Sequence, residues 1–148
     1  MSKIDNLPFS LTLEVRDACL CLHVRRAART LARRYDEALR PVNLTSGQFS
    51  LLMSLNRPQP PTMGDVASVL ALDRTTLTAN LKPLVRRGLV DMSADETDKR
   101  SRRMTLTAAG RDALIAAMPH WRAAQEATAE LLQDRDAERL CADLLKLS

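Results

Sequence analysis

The chain has 148 residues, 45% hydrophobic and only 3% aromatic, with a formal net charge of +4. That length suits a single domain, 1–148, able to bury a real core, and the scarcity of aromatics points to aliphatic packing between helices. No apolar run reaches the length of a membrane span, and the opening MSKIDNLPFS lacks the core of a signal peptide, so a cytoplasmic protein is expected. A pI of about 9.3 permits a nucleic-acid partner without requiring one.

Residues 1 to 9 read as an extended arm, with Pro8 just ahead of a long first helix from Ser10 to Leu39. Val15, Cys19, Leu22, Ala28, Leu31, Ala32, Tyr35 and Leu39 give that helix its apolar stripe. Arg25, Arg26, Arg29, Arg33 and Arg34 are read as a solvated face with local ion pairs to Asp36 or Glu37, not as a nucleic-acid contact. Pro41 ends the helix. Thr45 and Gln48 then resemble a capping box for the next one, whose Phe49, Leu52 and Leu55 point inward. Arg57-Pro58-Gln59-Pro60-Pro61 marks a break.

The stretch from 62 to 107 organises the rest. Thr62 with Asp65 resembles a second capping box, followed by Met63, Val66, Ala67 and Leu70 at helical spacing. Ala71 and Leu72 make a tight connection, and Asp73 is placed to cap another helix. In that helix Leu77, Leu81 and Leu84 share one face, while Thr75, Ala79, Lys82 and Arg86 lie opposite. Small side chains followed by cations suit a helix that enters the DNA major groove; an ordinary solvated face is the competing reading. Pro83 removes one hydrogen bond and crowds the Ala79 carbonyl, so a bend is expected.

Gly88 is placed to stop the helix in a left-handed conformation. Leu89, Val90 and Met92 suit a strand, and Met104 and Leu106 suit its antiparallel partner. The loop between them carries Asp95, Glu96, Asp98, Lys99, Arg100, Arg102 and Arg103. The fold expected is mostly α with a small β wing: a winged helix-turn-helix over 45–107, flanked by helices over 10–40 and 107–148. Thr107 should cap a long helix carrying Leu114, Ile115, Met118, Trp121 and Ala124, which Pro119 should kink or interrupt. Asp134 is expected to cap a last helix through Leu140, Leu144 and Leu145. Amphipathic helices at both ends need a partner, and a two-fold dimer supplies one.

In this arrangement Thr75, Thr78, Ala79 and Lys82 face the major groove and Arg74 and Arg86 hold phosphates. Arg100, braced by Asp98, enters the minor groove, whose narrow stretches attract arginine. Little supports an enzyme. His23 and His120 form no HExxH pattern, and Gly47, Gly64, Gly88 and Gly110 make neither a phosphate loop nor a dinucleotide fingerprint. No ligand cluster suits zinc, so neither metal nor cofactor is expected. Cys19 and Cys21, on one helix, point about 200° apart and do not pair unless it unwinds. A winged helix that docks protein instead of DNA is a further alternative, disfavoured by the charged wing.

Three segments also resemble the MarR-type transcriptional regulators: DRTTLTANLKPLVRRGLV at 73–90, D-x-R-S at 98–101 and LTAAG at 106–110. The likeness runs from about residue 15 through the last helix. It implies a homodimer bound to near-palindromic double-stranded DNA, usually as a repressor released by a small aromatic compound or by cysteine oxidation. It places the terminal helices in a dimer layer and makes His23, Arg26 and Tyr35 wall residues of an effector pocket. In the branch that senses organic hydroperoxides, a first-helix cysteine is activated by tyrosines. Cys21 matches that cysteine and Tyr35 one tyrosine, while Arg25 and Ser46 stand at the other tyrosine positions. The competing reading of Cys21 is a small apolar residue packing the dimer layer.

Overall fold

The computed structural model describes residues 7–133 and 136–148. They form α1 (Phe9–Ala18), α2 (Leu20–Leu39), a 3-10 turn at Arg40–Val42, α3 (Ser46–Leu55), α4 (Met63–Leu70) and α5 (Arg74–Arg86). A hairpin of β1 (Val90–Ala94) and β2 (Arg102–Leu106) follows, then α6 (Ala108–Ala129) and α7 (Ala137–Lys146). The chain divides into two compact units between Arg34 and Tyr35.

The first unit holds a correction. The single helix expected from Ser10 to Leu39 is two helices, interrupted at Cys19, whose backbone is extended (φ −72, ψ 109). Cys19 serves both helix ends. Its N–H donates to the Val15 carbonyl at 3.0 Å, its Sγ accepts the Leu22 N–H at 3.4 Å, and its carbonyl accepts the His23 N–H at 3.1 Å. The His23 ring adds a bond from Nδ1 to that carbonyl, 2.7 Å long. Apolar periodicity does not register such a break, because one non-helical residue leaves the spacing of Val15, Cys19 and Leu22 unchanged.

A second correction concerns the arginines of α2. The carboxylates expected to pair with them are engaged elsewhere: Asp36 accepts the Ser46 N–H at 2.7 Å, and Glu37 pairs with Arg40. The N–H groups that open a helix have no partner inside it, so Ser46 draws in the nearest acceptor.

The second unit contains the buried core. Leu39, Leu44, Phe49, Leu51, Leu52, Leu55, Val66, Leu77, Leu81, Leu84, Val90, Met104, Leu106, Leu114 and Ala117 all belong to it. The Phe49 and Trp121 rings stack with centroids 6.2 Å apart. Both expected capping boxes form: Thr45 with Gln48 opens α3, and Thr62 with Asp65 opens α4. Aspartate therefore closes the second box in place of the usual glutamate or glutamine.

The turn between α4 and α5 is built on Ala71, a non-glycine residue in the left-handed region (φ 52). Leu72 N–H donates back to the Ala67 carbonyl at 2.9 Å and Ala71 N–H to Ser68 at 3.3 Å, a Schellman closure. Left-handed backbone costs an L-residue roughly 1–2 kcal/mol, and glycine's extra freedom when unfolded offsets roughly 0.4–1 kcal/mol of any relief. Ala71→Gly is therefore expected to stabilise the protein by up to about 1 kcal/mol. The urea midpoint should rise; a lower midpoint would show that Ala71 carries packing that outweighs its backbone cost.

Helix α5 begins at Asp73, whose carboxylate accepts the Thr76 N–H at 2.7 Å, and runs on through Pro83. It ends in a second Schellman closure. Leu89 N–H reaches the Leu84 carbonyl and Gly88 N–H that of Val85, both at 3.0 Å, with Gly88 at φ 72. This fits the role expected of Gly88. The hairpin pairs Val90 with Leu106 and Met92 with Met104, so Val90, Leu106 and Met104 turn into the core. Leu89, expected within the first strand, lies just before it.

Thr107 caps α6 as expected, accepting the Gly110 N–H at 3.0 Å and donating to the Gly88 carbonyl at 2.6 Å. Pro119 does not interrupt the helix, which runs unbroken from Ala108 to Ala129. Asp134, the expected cap of the last helix, lies outside the described residues; α7 is capped by Asp136, which accepts the Arg139 N–H at 2.9 Å. No residue of α7 is buried, and Leu140, Leu144 and Leu145 are exposed. In the first unit Phe9, Leu11 and Val15 of α1 are likewise exposed.

Candidate nucleic-acid interface

Helix α5 divides cleanly into two faces. Leu77, Leu81 and Leu84 are buried, which fixes the rotation of the helix about its axis. Arg74, Thr75, Thr78, Ala79, Lys82 and Arg86 are all exposed on the remaining surface. Thr78 donates its hydroxyl hydrogen to the Arg74 carbonyl at 2.8 Å, so only its acceptor capacity is left for a partner. Ala79 adds no bulk beyond a methyl group.

The wing is held to the second unit by a residue that the sequence reading left unassigned. Arg103 donates from Nε to Asp95 at 3.0 Å and from Nη1 to the Pro60 carbonyl. Its strand is pinned at the same place, because Met104 N–H donates to the Pro61 carbonyl at 3.1 Å and Thr62 bridges Arg103. The segment read as a plain break thus contributes a third edge to the hairpin. An arginine next to the buried Met104 of a strand was the available signal, but of its partners Asp95 lies 8 residues upstream and Pro60 lies 43.

Asp98 acts differently from the brace expected of it. Its Oδ1 accepts the Arg100 backbone N–H at 3.0 Å, not the guanidinium, and its carbonyl accepts the Ser101 N–H at 3.0 Å. Two residues on is the separation an aspartate uses to close an Asx turn onto its own backbone. The carboxylate therefore fixes the turn at the wing tip and leaves the Arg100 side chain exposed.

The charges sort by role. Asp65, Asp73, Asp95 and Asp98 are engaged with helix-start N–H groups, Arg103 and a turn. Among the described residues, Arg74, Lys82, Arg86, Lys99, Arg100 and Arg102 belong to none of the ion pairs present. These four carboxylates close the local structure, whereas the six cations, like the acids Asp91 and Glu96, are exposed.

Three of those carboxyls sit below the ordinary value of 3.8: Asp65 through Thr62, Asp73 through Thr76, and Asp95 through Arg103. In each, hydrogen bonds to the ionised form favour it. A carboxyl whose pKa falls on folding stabilises the fold above its unfolded value, and that contribution is lost as pH falls through the folded value. Stability should therefore hold level from neutrality towards 3.8 and decline below it. Asp95→Asn should flatten the acid limb of melting temperature against pH; an unchanged limb would remove the Arg103 pair from this account.

Between α5 and the hairpin runs an open groove of about 640 Å³, lined by Met63, Thr78, Leu81, Lys82, Val85, Arg86, Met92 and Arg102. It has an apolar floor and a cationic rim. Sequence periodicity had given Met63 and Met92 to helix and strand faces without placing them side by side.

The residues expected to meet an effector all lie on α2. His23 is exposed and bonded to the Cys19 carbonyl, Arg26 is exposed, and half-buried Tyr35 donates its hydroxyl to Gln125 Oε1 at 2.6 Å. Cys21 and Cys141 are exposed free thiols, and Cys19 is half-buried. Among the described residues, no group of three His, Cys, Asp or Glu is placed to hold a metal ion, and no helix is long and apolar enough to cross a membrane.

Helix, turn, helix and pinned hairpin, with the second helix exposing small and cationic side chains, define a winged helix-turn-helix. A model of the MarR family matches residues 44–101. The multiple antibiotic resistance protein MarR of Escherichia coli is 31% identical over 108 residues, 73% of this chain and 74% of that one. The Mycobacterium tuberculosis transcriptional regulator MosR, solved in complex with DNA, is 42% identical with a TM-score of 0.80, covering 88% of this chain and 93% of that one. Bordetella bronchiseptica BpsR, whose DNA binding is described as regulated by 6-hydroxynicotinic acid, is 26% identical with a TM-score of 0.72, covering 85% and 89%. The chain belongs to the MarR family. It spans 54% to 62% of the length of three other curated relatives it matches.

Proposed function

We propose that this protein is a homodimeric, sequence-specific DNA-binding transcriptional regulator that represses its target and is released by a small aromatic ligand. One observation carries the DNA-binding part: around α5 and the wing, Arg74, Lys82, Arg86, Arg87, Lys99, Arg100 and Arg102 are exposed and, among the described residues, in no ion pair, whereas Asp65, Asp73, Asp95 and Asp98 are engaged with backbone or Arg103. Such a surface matches phosphates, which supply most of the affinity for DNA. Thr75, Thr78, Ala79 and Lys82 read base edges, Arg74 and Arg86 hold phosphates, and Arg100 enters the minor groove from a tip shaped by Asp98. The solved complex of MosR with DNA supports this use of the fold.

Dimerisation is supported by the apolar side chains left exposed on α1 and, separately, on α7. Two copies present two recognition helices, which suits a near-palindromic operator with half-sites one helical turn apart. For the effector we assign His23, Arg26 and Tyr35 as contacts; the aromatic acid that acts on BpsR supports the ligand class.

The test is binding of purified protein to its own upstream DNA, titrated with salt and then with aromatic acids. Tight, salt-sensitive binding to a near-palindrome, reversed by one of the acids, is the expected result. No preference over random fragments would overturn the regulator and favour a protein-docking winged helix.

A further inference from the structure

We infer that Asp95 and Arg103 are a positioning pair for Arg100: they hold the wing loop in place, so that its guanidinium meets DNA already ordered. The inference rests on the DNA-binding reading and deepens it, because part of the wing's contribution passes to two residues that need not touch DNA.

The hairpin is buried at one end only. Val90, Met104 and Leu106 lie in the core, whereas Ala94 and Arg102, the last pair of the ladder, are exposed. Residues 95 to 101 extend from that exposed end and carry Arg100. A two-stranded hairpin is marginal in water by itself, so a loop at its open end needs a further anchor.

The Asp95 carboxylate supplies one. Its Oδ1 accepts from Arg103 Nε at 3.0 Å and, in a longer contact, from the Thr97 N–H at 3.5 Å; its Oδ2 accepts the Thr97 hydroxyl at 3.4 Å. The Asp95 N–H in turn donates to the Ser101 carbonyl at 2.9 Å, which closes the loop. Arg103 donates from Nη1 to the Pro60 carbonyl. Side-chain contacts therefore run from the connection between α3 and α4, through Arg103 and Asp95, to Thr97, close to the tip turn that Asp98 fixes.

The pair is placed to hold and not to bind. With side-chain exposures of 34% for Arg103 and 11% for Asp95, it is the least exposed ion pair among the described residues. Nε and Nη1 of Arg103 are both committed, while the Arg100 side chain is exposed and outside every ion pair described. Without the brace, the loop must be ordered when DNA binds, and that loss of freedom is subtracted from the affinity.

The experiment measures operator affinity of the full-length protein from roughly 50 to 200 mM salt, for the parent, Asp95→Ala, Arg103→Lys and each combined with Arg100→Ala. Asp95→Ala removes a negative charge from the wing, so a role through charge alone would tighten binding. Positioning predicts the opposite sign: affinity weaker by about fivefold or more and a salt slope lower by about one unit. The fall in affinity across that salt range should then be about threefold smaller than in the parent. Arg103→Lys keeps the charge but offers a point charge in place of a fork that spans two acceptors, so it should lose the same slope at unchanged net charge. In either background Arg100→Ala should remove little more, whereas Arg86→Ala should still remove its own unit. Circular dichroism checks that each variant is folded, and Arg103→Lys carries the test if Asp95→Ala is not. Tighter binding by Asp95→Ala, an unchanged slope in folded Arg103→Lys, or a further full unit lost on adding Arg100→Ala would overturn the positioning pair and leave the DNA reading intact. A parent with no preference for operator over random DNA would instead overturn the DNA reading, and the role of the pair with it.

Discussion

Replacing Gly110 by alanine is expected to destabilise the fold by about 3 kcal/mol, the upper part of the range for overpacking a tight site. A Cβ at this position would stand 2.2 Å from the Leu89 carbonyl oxygen and 3.2 Å from a Leu106 methyl. The first obstacle is backbone, so no rotamer change relieves it. Leu89 O is fixed from both sides: its residue closes the end of α5, and the oxygen itself accepts the Thr107 N–H at 3.2 Å. Accommodating a methyl group means lifting the start of α6 off the hairpin. That would break the Thr107 bond to Gly88 and expose Leu106 and Val90, both now buried. Urea unfolding measures the loss, and a midpoint within error of the parent would show that this approach is looser than the geometry requires. Gly88→Ala should be milder. Nothing crowds its Cβ, and only the left-handed backbone (φ 72) opposes it.

The largest functional effect is expected from removing Arg86 and Arg100 together. Each phosphate contact contributes about 0.9 to the slope of log affinity against log salt, so the double alanine variant should lose nearly two units of slope. Arg100→Ala alone should lose about one. Both side chains are exposed and outside the ion pairs of the structure, so folding should change by less than about 0.5 kcal/mol and the binding loss is not a folding loss. A slope unaltered in Arg100→Ala would take the wing tip out of the DNA contact. Thr75→Ala and Lys82→Ala should instead alter which base pairs are preferred, each good base contact contributing about 1–3 kcal/mol of discrimination.

These two predictions draw on different levels of the chain. The elements themselves were largely legible. Thr45 with Gln48, Thr62 with Asp65, Asp73 and Thr107 opened the helices they mark, because a cap is a local contact between residues three apart. Leu77, Leu81 and Leu84 located the buried side of α5 by period alone, and that in turn exposed Thr75, Ala79, Lys82 and Arg86. Gly88 ended the helix where a left-handed residue was needed. The family likeness was equally readable, since it rests on contiguous runs of sequence.

What escaped the sequence depended on partners distant along the chain or on a choice between equal donors. Arg103 looked like one more loop cation until the fold brought Asp95 and the Pro60 carbonyl to it. Asp98 had the right spacing, but whether it would hold the Arg100 guanidinium or backbone N–H was decided by how the turn closes. Gly110 read as a family motif, and only the approach of the Leu89 carbonyl shows why no side chain fits. The break at Cys19 is the sharpest case. Its neighbours keep helical spacing on both sides, so the pattern favours one helix, while a sulfur and a carbonyl that cap α2 favour two. Local hydrogen-bond chemistry and hydrophobic period are read from the sequence itself; which long-range acceptor satisfies a given donor is settled only when the chain has folded, because burial makes every unpaired polar group costly.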